Sequence, residues 1–215
     1  MSLACVPNEM IFIGTGATID PMATVGEHPS RLIADLTLRI GPEAFIRSGS
    51  VIYAGSTIGA HLTTGHNVVI REENCIGDHV AIWGNSTIDY GCTIGSNVKI
   101  HTCVYVAQFT VIEEDVFLAP GVIIANDPHP GCPRARECMR GPTIRRGAQI
   151  GVNVTLVPFI TIGERALIGA GSVVTKDIPP RALAYGNPAH IVGTIDDLTC
   201  VVDPPLVEHP YPPAR

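Results

Sequence analysis

Three groups of side chains in this 215-residue sequence have types and spacings that chemistry uses. His101 directly follows Ile100, and Trp83 lies eighteen residues before it. An outward imidazole with a pKa near ~6.5 can act as a base at neutral pH. Asn126 and Asp127 form the second group. An asparagine amide donates to a developing oxyanion or holds a hydroxyl, while Asn-Asp-Pro also serves simply to open a turn. His129-Pro130 adds a second imidazole, and Arg134, Arg136, Arg140, Arg145 and Arg146 make this stretch basic in an acidic chain. Guanidinium groups clustered in this way suit a diphosphate. We read Trp83, Asp127 and Arg140 as substrate contacts. His129, Cys132 and Cys138 offer soft ligands at short spacing, with Cys103 as fourth only if the segment folds back; no metal is expected.

The elements that would position these groups follow from a fixed period. From Ile40 an aliphatic residue recurs every sixth position through Ile46, Ile52, Ile58, Ile70, Ile76, Ile82, Ile88, Ile94, Ile100, Val106, Ile112, Leu118 and Ile124, with Thr64 alone out of type. Such a period signals a repeat architecture, and six fits a short strand plus a tight corner. Gly41, Gly59, Gly77 and Gly95 recur every eighteen residues, so three hexapeptides make one coil. The expected fold is all-β: a triangular parallel solenoid of about eight coils, ~38 Å tall at the usual strand spacing. The corner glycines are expected to supply backbone angles that other residues avoid, and Asn67 and Asn85 suit turns. Ile58, Ile76 and Ile94 should stand in one vertical file. Two gaps interrupt the series. One, over 28–39, is an excursion; the other, over 126–142, is a loop thrown out at a corner before Ile144, Ile150, Leu156, Ile162, Ile168 and Val174 resume the period.

Composition narrows the classes. Charged residues are 16%, aromatics 5% and the net charge is −6, which argues against a nucleic-acid surface. The apolar runs are too short and interrupted to span a bilayer. The start, MSLACVPNEM, lacks a basic segment followed by an apolar one, so we expect a cytoplasmic protein. Most of the seven cysteines should then be reduced, with Cys92 packed in the core. His61 and His79, with Asn97 and Asp115, are read as a polar corner. The five prolines from Val202 onward mark an irregular tail.

The hexapeptides, the stretch IGERALIGAGSVVTKDIP from Ile162 and the run GNPA from Gly186 resemble the left-handed β-helix acyltransferases with hexapeptide repeats. The run VFLAPG from Val116, leading into Asn126, is most similar to the branch that acetylates amino groups of nucleotide-linked sugars. The resemblance implies a left-handed helix over 1–178, a C-terminal extension over 179–215, and a homotrimer with sites between adjacent prisms. It implies acetyl-CoA as co-substrate, bound near Gly151, Gly169 and Ala170, with Lys176 and Arg181 meeting its phosphates. It implies transfer to an amino sugar, with His101 and Asn126 placing the acceptor and His129 or the leaving thiolate taking the proton. His129-Pro130 is also similar to the His-Pro of the sugar O-acetyltransferases, so O-transfer stays open, as does a trimer that only binds. The zinc pattern of the related γ-class carbonic anhydrases is broken here, because Arg71 stands where its second histidine would follow Gly65-His66.

Overall fold

The computed structural model describes residues 10–202 and 209–211. Its strands are mostly two residues long, an outward residue followed by a buried one, as in Thr57–Ile58, Cys75–Ile76 and Thr93–Ile94. Three sheets result, of eight, ten and eight strands, each joining strands from successive coils in parallel. We call them the first, second and third faces in chain order, each ending in the corner of the same number. The eight coils match the expected count, and Ile76 pairs with Ile58 below and Ile94 above as anticipated.

The corners are built from left-handed residues at one fixed place per corner. His61, His79 and Asn97 (φ 58°, 56° and 60°) stack at the first corner, Asn67, Asn85 and Cys103 (57°, 59° and 59°) at the second, and Glu73 and Phe109 (56° and 61°) at the third. The glycines at 41, 59, 77 and 95 serve a different purpose from the one expected. The left-handed position falls two residues later. At Gly77 a Cβ would lie 2.7 Å from Ser96 N, and at Gly95 2.5 Å from Glu114 N. They are required because adjacent coils approach backbone to backbone there.

The core is a stack of aliphatic files. Ile70, Ile82, Ile88, Ile100 and Val106 are fully or almost fully buried. At the third corner the inward file is small and polar: Ser56, Asn74, Cys92 and Thr110, all buried. Its side chains are satisfied by nearby main chain, Asn74 Nδ2 donating to Arg71 O at 2.7 Å, Asn74 Oδ1 accepting from the Cys92 N–H at 2.8 Å and Thr110 Oγ1 donating to Ala107 O at 2.7 Å. Burial pushes the Cys92 thiol up to about 12, so it packs and does not react. Because each file is continuous, Ile94→Val should cost about 0.5–1.5 kcal/mol in chemical denaturation without altering the fold.

The excursion leaves the stack after Thr24–Glu27 and returns at Leu38–Ile40. The loop leaves after Ile123–Ile124, carries a short helix at Ala135–Cys138, and returns at Thr143–Ile144. Beyond the last coil, Ala182–Gly186 adds a parallel strand to the second face and Ala189–Thr194 folds back on it antiparallel. No helix among the described residues is long and apolar enough to cross a membrane.

Candidate active site

The second corner lines up one residue per coil after each buried rung. Trp83, His101, Ala119, Gly151 and Gly169 follow Ile82, Ile100, Leu118, Ile150 and Ile168, whose register is continuous. The backbone ladder fixes this file: Trp83 N–H donates to Ile100 O at 2.8 Å, His101 N–H to Leu118 O at 2.9 Å, and Gly151 N–H to Ile168 O at 2.9 Å. Ser86 Oγ adds a clamp, donating to His101 O at 2.8 Å and accepting from Val104 N–H at 3.1 Å. The His101 ring lies on the Trp83 indole, centroids 4.5 Å apart and planes within 7°, with Phe117 edge-on at 5.8 Å. Its Nδ1 is buried and has no hydrogen-bond partner. Such an atom costs about 1–3 kcal/mol until something answers it.

Above His101 the corner is bare. A Cβ at Gly151 would lie 2.7 Å from Ala170 N, and one at Gly169 2.8 Å from Tyr185 Cβ. Glycine is therefore needed for the close approach of the next layer, and it also leaves a strip of backbone above the imidazole. Ser172 Oγ holds the top of this strip, donating to Gly169 O at 2.6 Å.

The third corner carries a relay that ends in Asn126. Asp89, 6% exposed, accepts from Tyr90 N–H (2.8 Å), from the Tyr105 hydroxyl (2.9 Å) and from Gln108 Nε2. Burial and the bond to Asp89 push the Tyr105 phenol up to about 12, so it stays a donor. A carboxylate only accepts, so Gln108 must turn its Nε2 to Asp89 and its Oε1 outward. Asn126 Nδ2 donates to that Oε1 at 2.6 Å. The polarity of the chain therefore directs the remaining Asn126 oxygen away from the relay, where it can accept an N–H or O–H. The Arg140 N–H fixes the main chain beneath by donating to Asn126 O at 2.9 Å.

The other expected residues are more scattered. His129 is exposed, in a turn made by its N–H donating to Asp127 Oδ1 at 2.9 Å. The basic stretch is largely neutralised: Arg145 pairs with Glu113 and Arg146 with Glu114, both at 2.6 Å, and Arg134 with Glu137 at 2.5 Å. Arg136 and Arg140 have no ion-pair partner among the described residues. Arg181 is held by Asp196, while Lys176 is exposed and unpaired among the described residues. His61 and His79 stack at 4.4 Å. Among the described residues no three His, Cys, Asp or Glu side chains are grouped to hold a metal, and Cys75, Cys92, Cys103, Cys132 and Cys138 are free thiols. Within one chain His101 and Asn126 stand at different corners, so they do not meet.

Gln108, Asp89, Tyr105 and Phe117 were missed in the sequence. Gln108 lies eighteen residues before Asn126, and the spacing that paired Trp83 with His101 would have found it.

Residues 141–176 match the family described as bacterial transferase hexapeptide (six repeats), and residues 73–108 match the hexapeptide repeat of succinyl-transferase. A dTDP-3-amino-3,6-dideoxy-alpha-D-galactopyranose 3-N-acetyltransferase from Aneurinibacillus thermoaerophilus is 55% identical over 56 residues, 26% of this chain and 29% of that protein. Galactoside O-acetyltransferase of Escherichia coli is 38% identical over 115 residues, 48% of this chain and 57% of that one. The chain thus spans less than two thirds of either curated relative. In fold it is similar to LpxA, a UDP-N-acetylglucosamine acyltransferase from Bacteroides fragilis, with a TM-score of 0.59 and 24% identity over 83% of this chain and 73% of that one. The solenoid is the left-handed β-helix of that fold, and two of its stretches match the hexapeptide repeats of transferases, in keeping with its acetyltransferase relatives.

Proposed function

We propose that the protein is a cytoplasmic homotrimer that transfers acetyl from acetyl-CoA to the amino group of a nucleotide-linked amino sugar. The observation that carries this reading is the buried, unanswered His101 Nδ1 at the foot of a bare backbone strip. The strip suits a thioester arm, whose amides need backbone partners and no intervening side chains. The likeness to the dTDP-amino-sugar N-acetyltransferase supports the acceptor.

The chemistry asks little of the protein. A neutral amine attacks the thioester carbonyl, the C–S bond breaks, and the coenzyme leaves as a thiolate. The nitrogen that has formed the new C–N bond gives up one N–H proton to the imidazole of His101 or to that thiolate. Asn126, polarised by Gln108 and Asp89, accepts a hydrogen bond from the sugar and fixes its approach. His101 and Asn126 lie at different corners, so the second corner of one subunit faces the third corner of the next. Three subunits close this arrangement without a free edge.

The likeness to galactoside O-acetyltransferase supports a second reading, transfer to a sugar hydroxyl. One experiment covers both. Acetyl-CoA at 100 times its Kd should stabilise the protein by about 2.7 kcal/mol. Thiol release should then be faster with dTDP-3-amino-3,6-dideoxygalactose than with a galactoside. Faster release with the galactoside would favour the hydroxyl, and no stabilisation by acetyl-CoA would remove both readings.

A further inference from the structure

The second-corner file continues below Trp83. One coil down stands Gly65, and one further down Arg47, which follow Thr64 and Ile46 as Trp83 follows Ile82. His101 covers one face of the indole. Gly65 puts no ring against the other, and a cavity of about 140 Å³ opens there, lined by Arg47, Thr63, Gly65, Ala81 and Trp83. All of these residues lie in or below the coil of Trp83, so the cavity is on the side away from His101. A side chain at 65 cannot fill it, because a Cβ there would lie 2.3 Å from Gly84 N.

The floor of this cavity is the one broken rung of the aliphatic series. Thr64, buried, accepts the Arg47 N–H on Oγ1 at 3.0 Å and lies 3.3 Å from Ser50 Oγ. Gly65 and Trp83, in the same file, donate instead to rung carbonyls, Ile82 O at 2.7 Å and Ile100 O at 2.8 Å. An inward hydroxyl in an otherwise aliphatic column thus anchors the main chain of Arg47. Its guanidinium rests 4.8 Å from the centre of the Phe45 ring and has no carboxylate partner among the described residues. A flat slot one rung high, with an aromatic wall, and an unpaired cation at its mouth in an acidic protein, calls for a planar ring that carries phosphates.

We propose that this slot binds the base of a nucleoside diphosphate, stacked beneath Trp83 with its phosphates toward Arg47, and that the occupant is the nucleotide carrying the acceptor sugar. The assignment of the occupant rests on the acetyl-transfer reading. It places the acceptor below His101 and the acyl donor above it, on one corner.

Trp83 is the only tryptophan of the chain, so its fluorescence reports the slot directly. Titration with dTDP should quench it saturably, whereas inorganic pyrophosphate should not. Arg47→Ala should weaken dTDP at least tenfold, and Arg47→Lys should recover part of that loss, with unchanged circular dichroism. The dTDP quench should persist in saturating CoA, whose own adenine nucleotide is the other source of the same chemistry. Absence of saturable quenching, equal dTDP affinity in Arg47→Ala, or displacement of dTDP by CoA would each overturn the proposal. Thermal stabilisation by acetyl-CoA without any dTDP quench sinks the slot and leaves acetyl transfer standing. A dTDP quench without acetyl-CoA stabilisation does the reverse.

Discussion

Chains carrying His101→Ala and chains carrying Asn126→Ala, assembled together in equal amounts, should recover about a quarter of wild-type turnover, although each alone is crippled. Loss of a general base typically costs roughly 10²–10⁴-fold. Loss of a hydrogen bond to the acceptor costs at least about tenfold. If each site takes its second corner from one subunit and its third corner from the next, an intact site forms only where an Asn126→Ala chain presents its His101 to a His101→Ala chain presenting its Asn126. Two independent draws at equal odds give about one interface in four. Thiol release from acetyl-CoA measures the recovery in the unsorted mixture, and two affinity tags that isolate the mixed trimers, each with one intact site in three, should raise it to about a third. Had His101 and Asn126 acted from the same chain, no mixed assembly would exceed the residual rates of the parents. The same outcome would follow if the protein were monomeric, and sedimentation of the wild type separates these cases. Gln108→Ala should behave as Asn126→Ala does in the mixture, because it removes the acceptor that sets the asparagine's polarity.

What the sequence made legible follows from how each contact is spaced. The file of Ile58, Ile76 and Ile94 was readable because one inward side chain per six residues leaves no other arrangement that buries them. Trp83 over His101 was readable because stacked coils place residues eighteen apart in contact. Gln108 beneath Asn126 obeys the same rule. Asp89 does not: it reaches Gln108 diagonally, nineteen residues on, where no period points. The arginines after the loop misled for a related reason. Arg145 and Arg146 land over Glu113 and Glu114, and the pairing can be seen only after the fourteen residues by which the step from Ile124 to Ile144 exceeds six are subtracted from their separation of 32. Arg181 looked free until the terminal hairpin brought Asp196 back to it. The corner glycines show the limit of arguing from residue type. Glycine answers both a positive φ and a close approach, and only coordinates tell that Gly77 and Gly95 answer the second. Thr64 carried information that its period marked as an exception, but its meaning needed the neighbouring Arg47.

Glu72→Gln should lower stability at pH 7 by about 3 kcal/mol and lower the melting temperature by about 6–12 °C, and this gap should close in acid. Glu72 has no exposed side-chain surface and is held by Arg31 at 2.5 Å and Arg71 at 2.9 Å. Arg31 comes from the excursion, which this carboxylate therefore staples to the third corner, with Tyr90 under the Arg31 guanidinium at 4.0 Å. Burial alone would push the Glu72 carboxyl up. The hydrogen bonds from Arg71, the main chain and Arg31 outweigh it and hold the group below its ordinary value of 4.5. A carboxyl lowered in the folded state stabilises fully above its unfolded pKa and loses that stabilisation as pH falls through the folded one. The wild type should therefore lose its advantage over Glu72→Gln once pH drops below about 4.5, because the glutamine already resembles the protonated acid. The cost at neutral pH stands at the low end for a buried ion pair, since Arg31 and Arg71 keep 33% and 27% of their side-chain surface in water and can be partly solvated when the charge is removed. Urea unfolding of both proteins at pH 7 and pH 3.5 measures the two gaps. A gap as wide at pH 3.5 as at pH 7 would mean that Glu72 is packed as a neutral group and that the arginines hold the excursion by contact, not by charge.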